Sequence, residues 1–382
     1  MRILIYTDSF PPAVGGYEKF IYDFSLGMSK IADEIYVFTY SGEFRNEGIK
    51  NLHILNSNYH FSLQGYKIVS PGKIIRIIRE KKIDTIVFNG PTIMENVLLI
   101  KRTIKKLKIL IIFHSAYQSL LARLIFKLVA RITYNSADLI LVQNCSDQLL
   151  LEKIIRKKRK LVKIYFNGLF LSNMNKSVNL IKKIDSKILF VGRLDRAHNY
   201  KGLDQLLLFF ESLRDKLPRE ISLTVVGDGD LRPFYEDMVK KKGIDRTVEF
   251  LGEVSDEKVK EEMRESAALI LPSINEREGF GRVVLEALAQ DTTVIVSNRA
   301  GISELIKKYE CGFVYDPDSK EELLTILSKL NQNRPIIEQY RLNARTMIKN
   351  EEFDMDHLLS KIVNLLDKKS TKSFKGGRID FG

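Results

Sequence analysis

Two carboxylates and the loop between them supply the chemistry from which the chain can be read. They stand in Leu271-Pro-Ser-Ile-Asn-Glu-Arg-Glu-Gly-Phe-Gly-Arg-Val-Val-Leu-Glu-Ala-Leu-Ala289, where Glu278 and Glu286 have seven residues between them. The segment reads as the end of a strand (Ala267 to Leu271), a polar Gly-rich loop, and a helix opening near Phe280. Eight helical steps would span about 12 Å, the reach between the two sugar rings of a nucleotide sugar. The amides of Gly279, Phe280, Gly281 and Arg282 would be the unpaired donors of a helix start, which suits a phosphate. Neither Gly279 nor Gly281 carries a Cβ to hold a ligand off. One short segment thus offers two sugar-hydroxyl acceptors with a diphosphate cradle between them. An ordinary strand–helix unit with a surface Glu at each end would look the same.

The elements that must position this segment extend over the whole chain. Ile3 to Tyr6 reads as a strand, followed by a loop ending in Gly15-Gly16 and a helix from Tyr17 to about Lys30. Further strands are expected at Glu34 to Thr39, Leu52 to Leu55, Thr85 to Asn89 and Ile109 to Phe113, with helical patterns between them. Such alternation predicts a parallel sheet wound by helices. His114 follows the last of these strands directly, at the carboxyl end where α/β sheets bind ligands. In the second half, Lys187-Ile-Leu-Phe-Val-Gly-Arg-Leu194 is a strand delivering Arg193. Lys201-Gly202 then starts a helix, Leu203 to Leu213. The runs ending at Gly227 and at Gly252-Glu253-Val254 are strands closed by glycine, and Thr293 to Ser297 is another. Cations at Arg193 and Lys201 would stabilise a diphosphate as it leaves and gains charge.

These residues resemble family 4 of the retaining glycosyltransferases, the glycosyl transferases of group 1. Glu278 and Glu286 match its E-x7-E element, Gly15-Gly16 its first Gly-Gly turn, and His114, Arg193 and Lys201 its donor contacts. The resemblance covers about residues 1–366. It implies the GT-B fold, two doubly wound Rossmann-like α/β domains facing a central cleft. It also implies retaining transfer of a hexosyl unit from a nucleotide-diphosphate sugar to a lipid-linked or glycan acceptor. In that reading Glu278 takes the hexose hydroxyls, Glu286 the ribose, and the backbone of Gly252-Glu253-Val254 the nucleobase. His114 lines the reacting face, and Gly15-Gly16 admits the phosphates and acceptor. Gly227, Gly279, Phe280 and Gly281 complete the donor contacts. No cofactor is implied, and the donor is a substrate. Transfer without metal is expected, since Arg193 and Lys201 neutralise the diphosphate and the Asp228-Gly-Asp230 triplet lies in a turn. A nucleotide-sugar epimerase or a non-catalytic sugar-binding protein of the same fold are the alternatives. The chain departs from the family pattern at Gln143 or Asn144 (usually Ser), Phe170 (Asp), Asp291 (Gly) and Thr293 (Pro). It also carries three extra residues, His198 among them, between Arg193 and Lys201.

Domains are expected at 1–172 on the acceptor side and at 187–349 on the nucleotide side. A polar boundary runs from Leu171 to Ser186, helices at about 350–366 return to the first domain, and 367–382 forms a flexible tail. A length of 382 residues suits two domains. The first 175 residues hold 26 Lys and Arg against 13 Asp and Glu, the whole net charge of +13. An anionic partner follows, either a membrane surface or an anionic substrate. Pro71 to Lys82 and Ser119 to Arg131 pair apolar with basic residues at helical spacing, which fits interfacial helices and core-packing ones equally. The basic run Arg156 to Lys160 reads as a solvated loop. No basic run is interleaved with aromatics, so nucleic acid is excluded as a partner. No apolar run reaches the length of a membrane span. The N-terminus lacks a signal-peptide pattern, and the two cysteines, Cys145 and Cys311, lack metal-ligand spacing. A cytoplasmic protein, peripheral at the inner face of the cell membrane, is the expectation.

Overall fold

The computed structural model describes residues 1–12, 15–40, 49–56, 61–63, 66–68, 70–89, 97–114, 131–142, 145–155, 161–163, 184–212, 221–275, 277–350 and 353–368. The chain forms two compact units, one of Met1–Phe166 with Met355–Gly382, the other of Asn167–Asp354.

In the first unit the strands are β1 (Arg2–Thr7), β2 (Glu34–Thr39), β3 (Leu52–Asn56), β4 (Phe61–Leu63), β5 (Tyr66–Ile68), β6 (Thr85–Asn89), β7 (Lys108–Ile112), β8 (Leu139–Val142) and β9 (Leu161–Lys163). Seven of them make one sheet in the order β3-β2-β1-β6-β7-β8-β9, and β4 and β5 pair separately. Every pairing in the larger sheet is parallel. Parallel strands are covered on both faces, which is why Ile3, Leu4, Ile5 and Tyr6 form a continuous buried run rather than an alternating one. The helix Gly16–Ser29 buries Phe20, Ile21, Phe24 and Met28, and the helix Met355–Lys368 packs on it, with Lys30 bonding Asp356 at 3.1 Å.

In the second unit the strands are β10 (Ile184–Val191), β11 (Ser222–Val226), β12 (Val248–Gly252), β13 (Ser266–Leu271), β14 (Thr293–Ser297) and β15 (Phe313–Tyr315). Their order is β12-β11-β10-β13-β14-β15, again all parallel. Three helices of this unit, Asp256–Glu265, Lys320–Gln332 and Arg334–Ile348, begin on side-chain caps that satisfy free amides. Ser255 accepts from the amide of Lys258, Ser319 from that of Glu322, and Asn333 from that of Ile336.

The strand order reverses direction at β1, between β2 and β6, and at β10, between β11 and β13. Open α/β sheets bind ligands outside the carboxyl ends of such strands, because the outgoing loops part there. The loops after β1, β6, β10 and β13 are therefore where each unit can hold a ligand.

Pro71–Glu80 is a helix, and it settles one of the two readings of its apolar stripe. Ile74 and Ile78 belong to the core of the first unit, with Ile75 and Ile77 packed against it. Its apolar face is thus covered by protein, and the interfacial reading of that face does not hold. Ser119 to Arg131 except its last residue, the run Arg156 to Lys160, and the positions Gln143, Asn144 and Phe170 lie outside the described residues, as do most of Leu171 to Ser186 and the tail beyond 368.

Candidate active site

In the second unit the loops after β10 and β13 are sewn together. The chain leaves β10 through Gly192-Arg193-Leu194-Asp195 and makes a short 3-10 turn, Arg196–Lys201. The amide of Ile274, beyond β13, donates to the carbonyl of Tyr200 at 2.9 Å. Gly202 closes the turn in the left-handed conformation with φ 75°, and a Cβ there would collide with the carbonyl of Pro272. Lys201 is thereby aimed across the switch point.

There Lys201 Nζ lies 2.8 Å from Glu278 Oε2, with the two side chains only 15% and 9% exposed. The Ser273 hydroxyl lies 3.4 Å from the same oxygen. Arg193, at the other end of the loop, is half exposed and donates through Nε to Asp195 at 3.0 Å. Asp195 also accepts from His198 Nδ1 at 2.6 Å and from the His198 amide at 3.0 Å. Burial raises the pKa of Asp195, but the bond and charge of His198 and the charge of Arg193 outweigh it and hold the carboxyl's pKa below its usual range. The neighbouring Tyr200 phenol is pushed far up, first by burial and then by the charges of Glu278 and Asp195.

The helix expected near Phe280 starts later, at Arg282, because Gly281 sits before it with φ 87°. A left-handed residue cannot lie inside a right-handed helix. Glu278 therefore stands in the loop, and the eight helical steps expected between Glu278 and Glu286 do not exist. Phe280 is buried, and the Gly279 carbonyl accepts from the amide of Gly301 at 3.0 Å, pinning the loop to the turn after β14. Among the described residues nothing accepts from the amides of Gly279, Phe280 or Gly281, so these donors remain for a ligand. Glu286 is half-buried beside Arg282, whose Nε donates to it at 3.0 Å.

Gly252 ends β12, its carbonyl accepting from the amide of Gly227 at 2.9 Å, and exposed Glu253 and half-buried Val254 follow. The guanidinium of Arg232 lies where a Cβ of Gly252 would be. It is held from two sides, by Asp228 at 2.9 Å and Glu236 at 2.7 Å. Arg232 was not legible as a site residue, although its four-residue spacing to Glu236 was a usable helical signal; Asp228 precedes the helix Arg232–Lys241.

In the first unit, His114 stands at the end of β7, next to the β1–β6 switch point. His114 Nε2 is 2.8 Å from Asn89 Oδ1. Asn89 Nδ2 donates to Thr7 Oγ1 at 3.1 Å, and the Tyr17 hydroxyl donates to the Asn89 carbonyl at 2.6 Å. The amide orientation set by Thr7 makes Nε2 the protonated nitrogen of the neutral ring. The rings of Tyr17 and Phe20 face His114 at 4.9 and 6.4 Å. Burial lowers the imidazole to about 4, so the ring is uncharged at neutral pH. Gly15 precedes the helix Gly16–Ser29 in extended conformation, not a left-handed one, and a Cβ there would press on the Glu18 carboxylate. Gly16 has open space where its Cβ would be. Asn89, Thr7 and Tyr17 were not legible as partners of His114.

Among the described residues no group of three or more His, Cys, Asp or Glu side chains is placed to hold a metal ion. None of their helices is long and apolar enough to cross a membrane.

Two family models match the chain: Glycosyltransferase Family 4 over residues 14–160 and Glycosyl transferases group 1 over residues 173–347. An uncharacterised glycosyltransferase of Methanocaldococcus jannaschii is 27% identical over 215 residues, 53% of each chain. A Campylobacter jejuni α-1,4-N-acetyl-D-galactosaminyltransferase, named as acting on an undecaprenol-diphosphate-linked glycan, is 28% identical over 258 residues, 67% of each chain. The chain spans about half the length of some such relatives, 53% of the Methanocaldococcus protein and 51% of an uncharacterised glycosyltransferase of Haemophilus influenzae. Among solved structures, Anabaena HepE in complex with UDP and glucose matches with a TM-score of 0.74 at 18% identity, over 96% of this chain and all of that one. A glycosyltransferase from Rickettsia africae matches with a TM-score of 0.77 at 18% identity, over 97% and 99% of the two chains. These likenesses establish the two-domain Rossmann-like GT-B fold.

Proposed function

The chain belongs to the glycosyl transferases of group 1, and on that footing we propose that it moves a hexosyl unit from a nucleotide-diphosphate sugar to a lipid-linked or glycan acceptor, with retention of configuration and without a metal ion. The observation that carries the reading is the pair of cations, Arg193 and Lys201, at the two ends of one loop beside Glu278. A solved neighbour that holds UDP-glucose and a relative named for an undecaprenol-linked glycan support it.

As the glycosidic bond breaks, negative charge grows on the departing diphosphate. Lys201 and Arg193 are fixed charges that gain interaction energy as this happens, which is what lowers a barrier. The amides of Gly279, Phe280 and Gly281 add donors that need no reorientation. Glu278 accepts from the hexose hydroxyls, Glu286 from the ribose, and the backbone from Gly252 to Val254 meets the base beside Gly227. In the first unit, His114 supplies an uncharged sugar contact and Gly15-Gly16 the turn near phosphate and acceptor. The leaving phosphate takes the acceptor proton, so no separate base is required.

Thermal unfolding with a panel of nucleotide sugars tests this. A ligand at 100 times its dissociation constant adds ~2.7 kcal/mol, and the stabilising donor is then offered acceptors, with the product read for anomeric configuration. Stabilisation by no nucleotide sugar, or an inverted product, would overturn the corresponding part of the reading.

A further inference from the structure

We propose that binding of the nucleoside diphosphate places a proton on His198, which Asp195 holds beside Arg193 as a third cationic contact for the ligand. The inference deepens the donor-binding reading above and rests on it. His198 belongs to the three residues that lengthen this loop, and the function so far has left it without a part.

The geometry comes from one carboxylate. Asp195 Oδ2 accepts from Arg193 Nε at 3.0 Å, and Oδ1 accepts from His198 Nδ1 at 2.6 Å. The same oxygen accepts from the His198 amide and so caps the turn that ends in Lys201. Asp195 thereby orients a guanidinium and an imidazole together, at the strand end where the order of the sheet reverses. The His198 side chain remains 25% exposed, and among the described residues nothing bonds its Nε2. With Nδ1–H committed to Asp195, Nε2 accepts in the neutral ring and donates only in the cation. A diphosphate has acceptors alone to offer, so it pairs with the charged ring.

The surrounding charges point the same way. Arg193 and Asp195 face His198 from the loop after β10, and Tyr200 and Lys201 share its turn. Arg196 pairs with Asp230 beyond β11 at 3.4 Å, and Lys201 with Glu278 beyond β13. The tyrosine is neutral, and Arg193, Arg196, Lys201 and Arg277, the last also acting on Tyr200, stand with the carboxylates of Asp195, Asp230 and Glu278. Arg193, Arg196 and Lys201 each already face a carboxylate, so a proton on His198 adds positive charge against an incoming diphosphate. Asp195, held ionised by its two partners, stabilises the imidazolium that forms.

The experiment is titration calorimetry of the full chain with UDP and with GDP, in buffers of different ionisation heat, from pH 6.5 to 8.5. Wild type is compared with His198→Gln and His198→Arg. The ligand's terminal phosphate titrates near pH ~6, but it is common to all three proteins and cancels in the comparison. Wild type should take up more protons than His198→Gln, and its affinity relative to that variant should fall with rising pH, by up to ~10-fold per unit for one proton. His198→Arg carries a permanent charge and should bind tightly with a pH profile parallel to that of His198→Gln. Equal proton uptake and parallel profiles in wild type and His198→Gln, with UDP or GDP still bound, overturn the inference and leave the proposed function standing. Binding of neither nucleotide to wild type at any pH overturns the donor reading and this inference with it.

Discussion

Lys201 Nζ and Glu278 Oε2, 77 residues apart in sequence, meet at 2.8 Å with both side chains nearly buried. One is proposed to hold the departing diphosphate and the other the hexose hydroxyls. Without a donor they satisfy each other, so neither charge stands unpaired in a poorly hydrated pocket. A donor that reaches both then exchanges one ion pair for two ligand contacts. The pairing also keeps both groups in place before the ligand arrives, which lessens the ordering that binding costs.

Lys201→Ala is expected to lower turnover by ~100-fold or more, the scale of losing one fixed charge contact in a transition state. It should also destabilise the second unit by ~3 kcal/mol, since Glu278 is left buried without its partner. The double variant Lys201→Met with Glu278→Leu should recover most of that stability and no activity. Denaturant unfolding and steady-state kinetics on the three proteins separate the two roles. Full turnover in Lys201→Ala would remove the lysine from the mechanism.

The strands were legible because parallel strands buried on both faces leave unbroken apolar runs, as at Ser266–Leu271, where all six residues are buried. Glycines and a histidine at strand ends marked where a ligand could bind, and the resemblance assigned their roles. The helix Asp256–Glu265 went unread because only Glu262 and Met263 are buried in it, too few for an apolar stripe. The start at Arg282 depended on the left-handed Gly281, and two glycines in a row of loop residues do not say which of them turns. Asp291, where the family has Gly, takes φ 60° and pairs bidentately with Arg345 at 2.9 and 2.8 Å. Asp tolerates that conformation better than most residues, so the departure is absorbed locally. The meeting of Lys201 with Glu278, and of His114 with Asn89, follows from strand order. Local spacing carries no signal for either.

The uncharged state of His114 has a consequence for stability. Its folded pKa, about 4, lies below the unfolded value, so the unfolded chain binds the extra proton between the two. Stability from this group is complete above pH ~6.5 and is lost as pH falls towards 4. Replacement by Asn should flatten the stability profile of the first unit over that window. Unfolding midpoints of wild type and His114→Asn at pH 7, 5.5 and 4.5 measure it. The two should converge or cross on acidification, and a constant gap would mean that the imidazole charges freely in the fold.

Transfer is expected to proceed unchanged in EDTA, because Arg193 and Lys201 supply the positive charge that a metal would otherwise bring. The measurement is product formation by dialysed enzyme with chelator, then with added Mg²⁺ or Mn²⁺. Loss of activity in chelator with recovery on addition of either ion would show that the two side chains are insufficient.

The helix Pro71–Glu80 and the residues after it shape the last expectation, which concerns where the acceptor is met. Its apolar side is spent on the core through Ile74 and Ile78, while Arg76, Arg79, Lys81 and Lys82 are exposed. A surface of that kind cannot insert into a bilayer, but it can be held above one by charge. Each basic side chain near an anionic lipid surface contributes about 1 kcal/mol, so four suffice for reversible attachment. Such attachment should vanish in 1 M salt, where the Debye length is ~3 Å, whereas an inserted apolar face would resist it. Co-sedimentation with anionic vesicles should therefore exceed that with neutral ones at low salt and disappear at high salt. The triple variant Arg76→Glu, Arg79→Glu and Lys82→Glu should bind less by at least tenfold while keeping its turnover on a water-soluble acceptor. Salt-resistant binding would place the contact on another, apolar surface of the chain. Equal binding to both vesicle types, or none to either, would leave a soluble glycan as the acceptor.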